Sequence, residues 1–146
     1  MDTIDGMLLR HLQDDARVGF AELGRRVGLS APAVAERIKR LEADGIISGY
    51  HAKVDLKRAG FGIVSFIRLT SAPELAVELG RVAETTPEVM EFHHVTGTEG
   101  YVLKVAARSI EHLEKVIMRF LPFGQTTTSI VLSSPVTWRR IEIEEG

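Results

Sequence analysis

Five basic side chains crowd one stretch of this sequence. Arg25, Arg26, Arg37, Lys39 and Arg40 fall between residues 25 and 40, against a single acid, Glu36. Guanidinium and ammonium groups at that density suit phosphate oxygens, and an arginine can also fork onto the O6 and N7 atoms of guanine. Arg37 is the side chain expected to make that fork, with Arg25, Arg26, Lys39 and Arg40 directed to phosphates. Ser30 offers a hydroxyl to a phosphate beside a helix N-terminus, where the backbone N–H groups favour an anion. Charged helix faces are often merely solvated, so clustering alone leaves a bland three-helix bundle open.

Other residue types that could do chemistry are sparse. His93 and His94 adjoin, but neighbours in a strand point to opposite faces and cannot chelate one metal together. Glu91 and His93 share a face yet supply only two ligands, and His11, His51 and His112 lack ligand-like spacing. The chain has no cysteine, which removes disulfides, zinc ribbons, iron–sulfur sites and thiol nucleophiles. No phosphate-cradling Gly loop, G-x-S-x-G or H-E-x-x-H motif occurs. The expectation is a protein without metal, cofactor or catalytic residues, although split βαββαβ units do host enzymes elsewhere.

The basic cluster needs helices to present it. Ile4, Leu8 and Leu12 recur at helical spacing and predict a first helix over about 4–13. A short second helix carries Leu23 and Val27 inward and ends at Gly28, the residue type that best tolerates a left-handed cap. Leu29 plugs the turn. Ser30 caps a third helix with Pro32 in its first turn, where a missing N–H costs nothing. Val34, Ile38 and Leu41 give that helix its buried stripe, and Gly45 ends it. Ala31, Ala33, Glu36, Arg37 and Arg40 then face outward, the small residues permitting close approach to a groove. An extended segment with Ile46, Ile47 and Tyr50 follows, giving a winged helix-turn-helix over residues 1–52.

Residues 53–60 read as a linker. Beyond it the period changes: a strand over 61–70, a helix through Leu75, Leu79 and Val82, and strands over 88–96 and 101–107. A Ser109-capped helix with Ile110, Leu113, Ile117 and Phe120 inward precedes a last strand over 126–132. The order βαββαβ predicts a ferredoxin-like domain over 61–146, hence an α+β chain of two domains. Two helices cover one face of such a sheet, and the first strand is apolar on both. The uncovered face therefore predicts a homodimer through this domain.

The chain has 146 residues, 45% of them apolar and 26% charged, with a net charge of −2. That near-neutral total argues against a nucleic-acid partner only until it is divided. Residues 1–60 hold ten Lys/Arg and nine Asp/Glu, net +1, whereas residues 61–146 hold eight and eleven, net −3. The acidic N-terminus lacks a secretion-signal layout, and the longest uncharged run, Phe120–Trp138, is too polar to span a bilayer. Cytoplasmic location, associated with the nucleoid, is the expectation.

The segment GLSAPAVAERIKRLEADGIISGY at 28–50 resembles the helix-turn-helix signature of the Lrp/AsnC (leucine-responsive, feast–famine) regulators, and IDGMLLRHLQDDAR at 4–17 is similar to their first helix. VTGTEGYVLKV at 95–105 and TTTSIVL at 126–132 resemble their ligand-sensing RAM domain. The resemblance implies a prokaryotic transcription regulator that binds double-stranded DNA, forms dimers that assemble into octamers, and binds an amino-acid effector between dimers. Carried over, Ser30, Ala31, Ala33, Glu36, Arg37 and Arg40 match the DNA-facing positions. Gly97, Thr98, Glu99, Gly100 and Tyr101 match the effector loop, with Thr126 and Thr128 beside it. Many members carry an Asp where this chain has Gly100, and a carboxylate is the natural partner of an α-ammonium group. Without it three readings stay open: Glu99 substitutes, the ligand differs, or there is no ligand. A nucleoid-type architectural protein without effector, and a small-molecule sensor with a vestigial head, are the rival readings.

Overall fold

The computed structural model describes residues 1–143. The first helix, α1 (Thr3–Asp14), begins with a reciprocal cap. The Asp2 carboxylate accepts the Asp5 backbone N–H at 2.9 Å and the Asp5 carboxylate accepts that of Asp2 at 3.0 Å. Helix α2 (Phe20–Val27) ends on Gly28, whose φ of 74° lies in the left-handed region. A second glycine is equally decisive there. A Cβ at Gly24 would stand 2.3 Å from the Leu29 carbonyl oxygen, and the Gly24 carbonyl accepts the Leu29 N–H at 2.9 Å. Ser30 then caps α3 (Ala31–Ala43), its hydroxyl oxygen accepting the Ala33 N–H at 3.4 Å. Leu8, Leu23, Val34 and Ile38 form the buried core of these helices, with Ile4, Leu12, Val27 and Leu29 packed around it.

The expected wing does not form within the chain. Residues after α3 pass through turns and bends, and no strand is present between α3 and residue 63 among the described residues. A single short extended segment has no neighbouring strand to complete its hydrogen bonds.

Strands β1 (Ile63–Ser71), β2 (Val89–His94), β3 (Tyr101–Ala107) and β4 (Gly124–Ile130) form one antiparallel sheet in the order β2-β3-β1-β4. Helices α4 (Ala76–Glu84) and α5 (Ile110–Phe120) supply the crossovers, giving the ferredoxin-like βαββαβ arrangement. Ile67, Leu69, Leu103 and Val105 share a buried core with Leu79 of α4 and Leu113, Val116 and Phe120 of α5. Ile110, expected inward, is half exposed at the first turn of α5, and Val116 takes the interior place. The opposite face of β1 and β3 carries Val64, Phe66, Arg68, Val102 and Lys104.

The chain divides into two compact units, one of residues 54–135 and one combining residues 1–53 with 136–143. The C-terminal tail, counted with the second domain on the sequence, thus belongs to the helical unit. Gln13 explains why: its side-chain amide donates to the Ile141 carbonyl at 3.2 Å and accepts the Ile141 N–H at 2.9 Å. Arg140 adds an ion pair to Asp14 at 2.7 Å. The segment read as a linker folds into a turn, in which the Ala59 N–H donates to the Asp55 carbonyl at 2.9 Å.

Candidate nucleic-acid interface and ligand cavity

Helix α3 presents the basic cluster unevenly. Lys39 and Glu36 are exposed and make no side-chain ion pair or hydrogen bond among the described residues. Arg25 and Arg26, on the last turn of α2, both bond Glu22, with Arg26 at 2.8 Å. Their guanidiniums remain largely in solvent, where such short-range helical pairs are weak and readily exchanged. Ser30 is exposed at the N-terminus of α3, with Ala31 and Ala33 half-buried beside it.

Arg37 stands apart. Expected on the outer face, its guanidinium is instead held by α1, bonding the Asp2 carboxylate at 2.7 Å and the Asp5 carboxylate at 2.8 Å. Asp5 is 1% exposed and also accepts from Arg40 at 3.1 and 3.2 Å. A fork onto guanine would leave the buried Asp5 carboxylate with only Arg40 and the Asp2 backbone N–H, so in this structure Arg37 is occupied rather than free on the outer face. Arg40, more than half exposed, keeps donors free for a phosphate while it holds Asp5. Burial pushes the Asp5 carboxyl up, but the Asp2 backbone N–H and Arg37 outweigh that and hold it below the usual range. The Asp2 carboxyl is lowered from 3.8 to about 2, chiefly by the Asp5 backbone N–H and then by Arg37. Sequence reasoning missed both acids. The signal was present as D-x-x-D ahead of an apolar helix, the spacing of a reciprocal cap.

In the second unit, the loop between β2 and β3 borders an open cavity of about 350 Å³. Gly97, Thr98, Gly100 and Tyr101 of the expected loop line it, joined by Thr70 and Ser71 from the end of β1, Pro73 and Ala76, and His94 from β2. Antiparallel pairing sets His94 opposite Tyr101, and the two rings stack at 4.8 Å between centroids. Thr70 donates its hydroxyl to the Thr98 carbonyl at 3.1 Å, tying the strand to the loop. Two groups of expected residues lie elsewhere. Glu99 pairs with Arg68 at 2.9 Å and does not line the cavity. Thr126 and Thr128 sit on β4 opposite Leu69 and Ile67, also outside the lining. Thr70, Ser71 and His94 are additions that no local pattern indicates.

His93 and His94 diverge as strand alternation requires: His93 meets Glu91 at 3.3 Å while His94 stacks on Tyr101. No group of three or more metal-ligating side chains occurs among the described residues, and no helix is long and apolar enough to cross a membrane.

A helix-turn-helix head joined to a ferredoxin-like module with a small-molecule-sized cavity defines a ligand-linked DNA-binding protein as the class. Residues 1–42 match the AsnC-type helix-turn-helix domain and residues 64–141 the Lrp/AsnC ligand binding domain. The chain belongs to the Lrp/AsnC family and is a helix-turn-helix transcriptional regulator of that type. The transcriptional regulator YezC of Bacillus subtilis is 38% identical over 134 residues, covering 92% of this chain and 95% of that protein. The structure of B. subtilis LrpC superposes with a TM-score of 0.89 at 32% identity, covering 94% of this chain and 99% of that one. The regulator NMB0573 of Neisseria meningitidis, solved as an L-Met complex, shares the fold with a TM-score of 0.88 at 24% identity, over 99% of this chain and 96% of that one.

Proposed function

We propose that this regulator binds double-stranded DNA as a homodimer, each α3 entering a major groove, under control of a small effector of the amino-acid or related class. The observation that carries the reading is the exposed surface at the start of α3. It combines small residues at Ala31 and Ala33, an exposed Ser30 cap, and cations on both α2 and α3. In this reading Lys39, Arg25 and Arg26 contact phosphates and Ser30 anchors one at the helix N-terminus. Glu36 faces base edges, able to accept from a cytosine amino group. Arg37 positions α3 through Asp5 and Asp2, and Arg40 is shared between Asp5 and the DNA backbone.

The open face of the β1–β3 sheet supports self-association: Phe66 is 37% exposed there, with Val64 and Val102 flanking it. A second copy of the same face is the self-complementary cover for it, with higher assembly into octamers built on that dimer. The effector occupies the Gly97–Tyr101 cavity; the cavity's small-molecule size supports that reading. The protein works without catalysis, metal or cofactor, in the cytoplasm on the nucleoid. Fluorescence anisotropy on the full chain, using upstream fragments from its own genome against random DNA of equal length, tests the reading. Tighter binding to a subset of fragments is expected. Equal binding to all of them would favour the architectural role, and a monomer by light scattering would remove the dimer.

A further inference from the structure

The C-terminal tail is fastened to the helical unit by polar contacts. Gln13, near the end of α1, donates to the Ile141 carbonyl at 3.2 Å and accepts the Ile141 N–H at 2.9 Å, the pair of bonds that a neighbouring strand would offer. Arg140 meets Asp14 at 2.7 Å, and Arg10 approaches Glu142 at 3.8 Å. Lys53 donates to the Thr137 hydroxyl at 2.9 Å. Val136, Trp138 and Ile141 all stay more than half exposed, so apolar burial does little to hold the segment. Each polar contact is weak alone at an exposed site, but the tail is tethered beside α1 and re-docks from a high effective concentration.

Docking of the tail means that the chain passes between its two units twice, at 53–54 and at 135–136. Neither crossing has slack. Beyond Val54 the chain enters a hydrogen-bonded turn, in which the Phe61 N–H donates to the Leu56 carbonyl at 2.8 Å. On the other side the Val131 N–H is fixed to the Val64 carbonyl at 2.8 Å, and Thr137 is already held by Lys53. The stretch from Val131 to Thr137 spans at most about 20 Å when fully extended. A single crossing lets a domain swivel about its linker, whereas two crossings side by side permit bending and resist swivel. We propose that residues 136–143 are a strap that fixes the orientation of the helix-turn-helix head, and thereby sets the half-site spacing that the dimer accepts. The inference rests on the reading of the protein as a dimeric DNA binder.

The test is fluorescence anisotropy of the full chain on its best-bound genomic fragment and on the same fragment lengthened at its centre by about 5 base pairs, half a helical turn. The unaltered protein is expected to prefer the original spacing by about tenfold or more, and the undocked variant Gln13→Ala/Arg140→Ala by about threefold or less. Trp138 is the only tryptophan of the chain, and its time-resolved anisotropy should show faster local motion in that variant. An insertion of about six Gly and Ser residues between Ser133 and Ser134 keeps the docking contacts, adds slack, and should relax the spacing preference with thermal stability unchanged. A spacing preference retained in either variant would overturn the proposal, as would unaltered Trp138 motion in the first. Equal binding of the unaltered protein to both spacings, with cognate still preferred over random DNA, would overturn it while leaving the DNA-binding reading standing. Loss of any preference for cognate over random DNA would remove the sequence-specific reading and the strap with it.

Discussion

Asp5 and Arg37, 32 residues apart in the chain, meet at 2.8 Å, and the carboxylate between them and Arg40 is 1% exposed. This contact joins the first turn of α1 to the middle of α3. The helix proposed to face DNA is thus oriented by charge as well as by its apolar stripe. A buried carboxylate with two guanidinium partners resists removal of either one, because the remaining charge has already lost its water.

Arg37→Ala should accordingly destabilise the helical unit by about 1.5–3 kcal/mol, the range for hydrogen bonds to charged groups. Chemical denaturation measures it. Arg37→Lys is expected to restore little, since one ammonium cannot reproduce a planar fork between two carboxylates. If the side chain positions α3, the loss of DNA affinity will be similar on cognate and random DNA. A loss confined to cognate DNA would return Arg37 to the role of base reader.

Lys39→Ala should leave thermal stability unchanged and reduce the slope of log K against log salt by about 1. Lys39 is exposed and has no internal partner among the described residues, so removing it disturbs no packing. A slope equal to that of the unaltered protein would take Lys39 off the DNA backbone.

Acid should loosen the head in a defined window. Asp2 and Asp5 both have folded-state pKa values below the ordinary 3.8, so their stabilisation is complete above that value and fades as pH falls through the folded values. For Asp2 that places the loss between 3.8 and about 2. Asp2→Asn should flatten the dependence of the denaturation midpoint on pH across that interval. An unaltered profile would mean that the cap and the Arg37 pair contribute nothing to it.

Gly24→Ala should cost about 1–3 kcal/mol, the range for forcing extra volume into a packed site. The atom it meets is the Leu29 backbone carbonyl oxygen, which cannot swing away as a flexible side chain would. Gly6→Ala, with nothing within 4 Å of the new Cβ, is the control and should be neutral or better.

Local patterns were enough for most of the architecture. The spacing of Ile4, Leu8 and Leu12, the Gly28 cap and the Ser30 N-cap are readable because a helix repeats every 3.6 residues and its ends need particular side chains. A stretch apolar on both faces marked β1, and the element order implied the ferredoxin-like sheet and its uncovered face. The segment with Ile46, Ile47 and Tyr50 after α3 read as an extended wing, yet a strand exists only where a partner strand is adjacent.

The sequence by itself determined the two-part α+β plan, the helix-turn-helix and the loop at 97–101, all features set by neighbours a few residues apart. Tertiary structure alone decided which charges are occupied. Arg37, Lys39 and Arg40 look alike on a helix face, and only the approach of α1 commits Arg37 to Asp2 and Asp5 while leaving Lys39 in solvent. Glu99 looked available to a ligand until Arg68 claimed it, and the tail looked like part of the second domain until Gln13 bound Ile141. Helix and strand periods are short-range properties of the chain. The partner of a charge depends on which distant residue folding brings within 3 or 4 Å, and no spacing in the sequence encodes that distance.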